Sequence, residues 1–126
     1  MSKIKENWFS DLKDLDYFKT VANPYFLELD GLIVLEAHYN PESIEQLKKI
    51  LQSRNSPKDL EKAENTINHI HLDDLVEEES LQIELGEYLQ KIWMKALSEQ
   101  FPNYEFECTV KHFETGYELV MWKRRS

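Results

Sequence analysis

Cysteine, glycine and proline are all scarce in this chain, which has one, three and four of them in 126 residues. A single cysteine cannot form an internal disulfide, so the composition favours a reducing compartment, and we expect a cytoplasmic protein. The few glycines and prolines exclude collagen-like and low-complexity chains. Runs of consecutive apolar residues do not exceed four, as in Leu32–Leu35. A membrane span needs roughly 20 such residues, so we expect no membrane partner.

Basic residues are in the minority, with 15 Lys and Arg against 24 Asp and Glu and a net charge of −9. Proteins gain affinity for nucleic acids mainly by neutralising phosphates with Lys and Arg, so we expect no nucleic-acid partner. Hydrophobic residues make up 41% of the chain, which is enough for a packed core. The length corresponds to one domain, and we predict a single domain over residues 1–126.

Apolar residues that recur every three to four positions predict four helices. Capping residues and prolines mark their ends: the first spans Trp8 to Ala22, the second follows Asn40-Pro41, the third follows Ser56-Pro57, and the fourth begins at a capping box over Asp74 and Glu77. The third helix is expected to fade near residues 69–72.

Two hairpins are predicted between and after these helices. Asp30-Gly31 suits a two-residue turn and would set Leu29 opposite Leu32. Residues 104–111 and 117–122 alternate apolar and polar side chains around a turn at 113–116. We therefore predict an α+β, two-layer domain in which about four helices pack mainly on one face of a mainly antiparallel sheet of about four strands.

The negative charge is concentrated in one segment. No Lys or Arg lies between Lys62 and Lys91, and the eight acids there include Glu64. Acids near a helix start are stabilised by its dipole, which is the simplest interpretation. The functional alternative is a surface that binds a basic protein, because concentrated charge steers association. In size and composition the chain resembles immunity proteins or inhibitors that mask basic enzymes. The residues predicted to bind such a partner are Asp73, Asp74, Glu77, Glu78, Glu79, Glu84 and Glu87.

The segment His69-Ile-His71-Leu-Asp73-Asp74 has ligand chemistry, because imidazoles and carboxylates can bind Zn²⁺ or another divalent metal. It is similar to the H-x-H-x-D-H motif of the metallo-β-lactamase superfamily, with Asp74 where that motif has His. That fold is much longer and needs further His and Asp ligands, so we interpret the six-residue match as coincidental. On a helix, His69 and His71 would point in different directions, whereas on a strand they would share a face.

These patterns favour a non-enzymatic interaction domain that binds a basic protein and needs no cofactor. The alternative is a small divalent-metal-binding protein or hydrolase centred on His69, His71 and Asp73. A second alternative is a homodimeric structural or adaptor protein, with Val120 and Trp122 exposed on a dimer face. Cys108 lies on the apolar side of a predicted strand, where a thiol is inert. No residue is therefore predicted to be catalytic.

Overall fold

The computed structural model describes residues 11–53 and 55–125. The first described helix, α1, spans Leu15–Val21, and its N-cap Asp14 accepts a hydrogen bond of 2.9 Å from the backbone N–H of Tyr17. The predicted helix began at Trp8, which lies outside the described residues. The helix ends at the predicted place, just before Asn23-Pro24.

Strands β1 (Phe26–Leu29) and β2 (Leu32–Leu35) form the first hairpin. Asp30 and Gly31 both have positive φ, at 51° and 85°, as the two-residue turn requires. The register pairs Leu29 with Leu32 and Phe26 with Leu35, so the predicted hairpin is confirmed. A 3₁₀ turn over Glu36–His38 follows β2.

Helices α2 (Pro41–Leu51) and α3 (Pro57–Ile67) begin where the capping signals predicted. The Asn40 side chain accepts a hydrogen bond from the backbone N–H of Glu42, at 3.0 Å. Ser56 and Asp59 form a reciprocal capping box at the start of α3. Both helices carry proline in the first turn, where the missing N–H costs nothing.

After α3 the chain forms a short strand, β3 (His69–His71), and then a 3₁₀ turn over Leu72–Asp74. Helix α4 spans Glu79–Gln100, so the prediction that it begins at a capping box over Asp74 was wrong. The reason lies in the core. Leu72, Leu75 and Val76 are fully buried, and the chain between β3 and α4 turns to place them there.

Strands β4 (Phe106–Phe113) and β5 (Gly116–Lys123) form the second hairpin. The described strands number five rather than four and lie in two antiparallel sheets, ordered β1-β2 and β3-β5-β4. The α+β class and the four helices are confirmed for the described residues. Both predicted hairpins are present but lie in separate sheets, so the prediction of one sheet of about four strands is matched only in part.

Side chains of α3, rather than a strand, occupy the free edge of β2. Glu64 accepts hydrogen bonds from the backbone N–H of Ile33 at 2.7 Å and of Lys123 at 2.8 Å. Asn68 accepts from the backbone N–H of Leu35 and donates to the carbonyl of Ile33. Glu64 thus connects the two sheets, and Asn68, four residues later, binds a further part of the β2 edge.

Helices lie on both faces of the three-stranded sheet, whereas helices packed mainly on one face were predicted. The α4 side packs the main core, in which Leu89 and Trp93 meet Leu119. Leu119 and its neighbour Val120 point to opposite faces of β5, yet they are 0% and 1% exposed. Trp122, on the Val120 face, lines a groove together with α3 residues, which places α3 on that side.

Gly86 allows α4 to lie close to the sheet. A Cβ there would lie 2.7 Å from Cδ1 of Leu72 and 2.8 Å from Cγ2 of Val110, both shorter than real Cβ contacts.

Among the described helices, none has both the length and the apolar character that crossing a membrane requires.

Candidate metal centre

His69 and His71 lie on β3 with one residue between them, so their side chains share a face of the sheet. Ile70 between them points into the core and is 1% exposed. In the register of β3 and β5, His71 is paired directly with Glu118, whose side chain therefore lies on the same face. The sheet thus brings the two imidazoles together with a carboxylate that lies 47 positions after His71 in the sequence.

One ligand atom from each of these three residues lies within 4.8 Å of the other two. The three side chains are half-buried, so each is packed partly against the protein and partly exposed to solvent. Tetrahedral Zn²⁺ with bonds of about 2.0–2.1 Å separates its ligands by roughly 3.3 Å. Side-chain rotations that move the donor atoms by about 1 Å would therefore close the three around one ion.

The backbone of α3 orients one of the imidazoles. Nδ1 of His69 lies 2.6 Å from the carbonyl oxygen of Thr66. A carbonyl can only accept a hydrogen bond, so Nδ1 carries the proton and Nε2 keeps its lone pair free. Metal-binding histidines commonly donate their second N–H to a backbone carbonyl, which fixes the tautomer and the ring orientation. His69 therefore has the arrangement of a ligand.

Asp73 is not part of this cluster, contrary to the predicted set of His69, His71 and Asp73. Its Oδ2 accepts a hydrogen bond from the hydroxyl of Thr115 at 3.2 Å, and its Oδ1 is buried without a hydrogen-bond partner. The chain leaves the strand after His71 and enters a 3₁₀ turn, which removes Asp73 from the face that the histidines share. Glu118 takes the third place.

Of the two cases considered for His69 and His71, helix and strand, the structure shows the strand, on which the two side chains share a face. α3 ends at Ile67, and the two histidines lie on an extended strand. Glu118 could not be found from local spacing. Its alternation on β5 was readable, but its position opposite His71 depends on how β3 pairs with β5.

The other two histidines lie outside the cluster. Nδ1 of His38 donates to the carbonyl of Ile67 at 3.0 Å, and Nε2 lies 2.8 Å from the hydroxyl of Tyr17. Burial lowers the pKa of His38 and raises the pKa of Tyr17 to about 12, so the hydroxyl donates to a neutral imidazole. Both ring nitrogens of His38 are thus engaged. His112 is exposed on β4 against the ring of Tyr117.

The acidic segment divides into members that serve the fold and members that face solvent. Glu64, which lies in the same lysine- and arginine-free stretch, is fully buried and pairs with Arg125 at 2.7 Å. Glu77 pairs with Lys13 at 2.6 Å, although its side chain is 87% exposed. Of the seven predicted partner-binding acids, two are half-buried, Asp73 and Glu84, and five are exposed, namely Asp74, Glu77, Glu78, Glu79 and Glu87.

The two residues of the predicted dimer face, Val120 and Trp122, are not exposed together in the structure. Val120 is 1% exposed, so its side chain cannot form a surface, and Trp122 is half-buried beside α3. The cause is α3, which lies on the face that was expected to be open. Whether the protein is a homodimer stays a prediction.

Cys108 lies on the core side of β4 and is 6% exposed. Burial raises the pKa of its thiol to about 12, so the thiol stays protonated at neutral pH. A thiol in that state is a poor nucleophile and a poor metal ligand.

No protein-family model, curated protein or solved structure matches this chain.

Proposed function

We propose that this protein binds a divalent transition-metal ion, Zn²⁺ in the first place, through His69, His71 and Glu118. The observation that carries the proposal is the convergence of three donor groups on one sheet face, with the Nδ1 of His69 already committed to the Thr66 carbonyl. Two imidazoles and a carboxylate are donors that Zn²⁺ accepts, whereas Ca²⁺ and Mg²⁺ prefer all-oxygen sites.

Three protein ligands leave one position of a tetrahedral ion open. Zinc sites with a structural role usually use four protein ligands, while an open position is typical of sites that exchange a ligand. The half-buried setting agrees with such a site, since solvent reaches it. The proposed function is therefore binding of an ion that keeps an exchangeable position.

The experiment is a calorimetric titration of Zn²⁺ into untagged, chelator-treated protein. We expect one ion per chain, and binding at least tenfold weaker in the His71→Ala and Glu118→Gln variants, because even outer-shell partners of metal ligands are worth about 10–100-fold. His112→Ala is the matched control, since it removes an exposed imidazole away from the cluster.

The variant Asp73→Asn distinguishes the proposed ligands, which include Glu118, from the set predicted from the sequence, which includes Asp73. We expect this variant to bind Zn²⁺ like the wild type. Absence of saturable binding, or loss of binding in Asp73→Asn but not in Glu118→Gln, would contradict the proposal.

A second candidate function is binding of a basic protein in the cytoplasm through the acidic segment. One observation favours it: five acids of the segment are exposed, and among the described residues only Glu77 of these five has an ion-pair partner.

A further inference from the structure

Lys111 lies beside the proposed metal centre. It is the direct cross-strand partner of Glu118 in the pairing of β4 with β5, so the two side chains share the face that carries His71. Directly paired residues have Cβ atoms roughly 4.5–5.5 Å apart. Lys111 is exposed, and no carboxylate in the described part of the chain lies within 4.0 Å of its ammonium.

An aromatic ring also lies against the proposed metal centre. Phe113 lies with its ring centroid 4.5 Å from that of His71. On β5, Phe113 is paired with Gly116, where a Cβ would lie 2.6 Å from Oε1 of Gln82 and 3.1 Å from Cβ of Asp73. An apolar ring and a lysine, both on β4, therefore lie beside the proposed metal centre.

The charges at the centre favour an anion. A divalent ion held by two neutral imidazoles and one carboxylate carries one net positive charge, and Lys111 adds a second. The ion also neutralises Glu118, which is the carboxylate nearest to Lys111 along the strand pairing. Among the described residues, the other carboxylate on this face of β4, Glu107, is already paired with Arg124.

We propose that the fourth position of the ion takes an exogenous oxyanion, a phosphate or carboxylate group, that Lys111 also contacts. This proposal rests on the proposed function and adds the class of ligand. It assigns Lys111 to positioning and charge recognition of the anion, with no role as a ligand of the ion.

The test uses full-length protein loaded with Co²⁺, whose visible absorption reports on its coordination. Inorganic phosphate and acetate are titrated separately. We expect a saturable spectral change. The anion with the lower dissociation constant then identifies the ligand class as a phosphate or a carboxylate. In Lys111→Met the anion should bind about two- to fivefold more weakly, which is the effect of one solvent-exposed charge pair. Lys91→Met, an exposed lysine on α4, is the matched control.

The outcomes separate the two proposals. If Co²⁺ itself gives no spectrum distinct from the free ion, the proposed function fails. If Co²⁺ binds but neither anion changes the spectrum, the oxyanion proposal is overturned while metal binding stands. If the anions bind equally well to Lys111→Met and Lys91→Met, the role of Lys111 is overturned.

Discussion

The ion pair between Glu64 and Arg125 is the interaction whose removal should damage the fold most clearly. The Glu64 side chain is 0% exposed and that of Arg125 10% exposed. The two terminal guanidinium nitrogens, Nη1 and Nη2, each lie 2.7 Å from a carboxylate oxygen. The guanidinium also donates to the carbonyl of Gly31 at 2.9 Å. The pair therefore connects α3, the β1–β2 turn and the end of β5.

Arg125→Met should cost about 3–5 kcal/mol of unfolding free energy. Methionine replaces the guanidinium by an unbranched apolar side chain. The Glu64 carboxylate then stays buried, with hydrogen bonds only from the backbone N–H groups of Ile33 and Lys123. Removing one partner of a buried pair has a cost of that size because the remaining charge is uncompensated. This cost is a large share of the unfolding free energy of a typical domain, which is about 5–15 kcal/mol.

The assay is urea denaturation followed by circular dichroism, with the midpoint and slope measured separately. Arg124→Met is the matched control. Arg124 is 58% exposed and pairs with exposed Glu105 and Glu107, so its loss should cost no more than about 1 kcal/mol. If Arg125→Met were no more destabilising than Arg124→Met, the assignment of Glu64 as a buried, paired charge would be wrong.

Three further predictions concern pH, packing and the acidic surface. Burial lowers the pKa of His38 below its ordinary 6.5. The stability that neutral His38 contributes is therefore present above pH 6.5 and is lost as the pH falls through the lowered pKa. The variant His38→Asn, which retains a donor for the Ile67 carbonyl, should show a weaker pH dependence of its unfolding free energy in urea denaturation. Gly86→Ala should lose about 1–3 kcal/mol in the same assay despite the better helix propensity of alanine, because its methyl group overlaps two side chains of the core. The triple variant Glu77→Lys, Glu78→Lys and Glu79→Lys should fail to retain a basic protein that the wild type captures at low salt and releases at high salt.

Each of these predictions has a result that would contradict it. Equal pH profiles for wild type and His38→Asn would show that another group titrates. A Gly86→Ala variant as stable as the wild type would mean that α4 can shift outward at no cost. A control variant with lysine at exposed acids outside the segment, Glu42, Glu99 and Glu114, should keep the basic partner. If the control lost it as well, net charge rather than the acidic segment would govern binding.

Local sequence signals predicted those parts of the fold that depend on neighbouring residues. The positive φ of Asp30 and Gly31 set the register of the first hairpin, and Ser56-Pro57 set the start of α3. Both are short-range effects of turn and cap chemistry, which can be read without knowing the topology.

The parts that were missed depend on pairing between distant segments. β3 has only three residues and follows a helix directly, so its strand character comes from pairing with β5 rather than from its own pattern. The same pairing supplies Glu118 to the candidate centre. Glu64 looked like one acid of a solvated run, and its burial follows from Arg125, which lies 61 positions away.

The central claim is that His69, His71 and Glu118 bind one metal ion, and X-ray absorption at the zinc edge tests it most directly. For the untagged protein with one equivalent of Zn²⁺, we predict two imidazole ligands, with all nitrogen and oxygen ligands at about 2.0–2.2 Å and no sulfur. In Glu118→Gln the imidazole signal should weaken as the ion dissociates. A spectrum without imidazole scattering, or one unchanged in His71→Ala, would contradict the account.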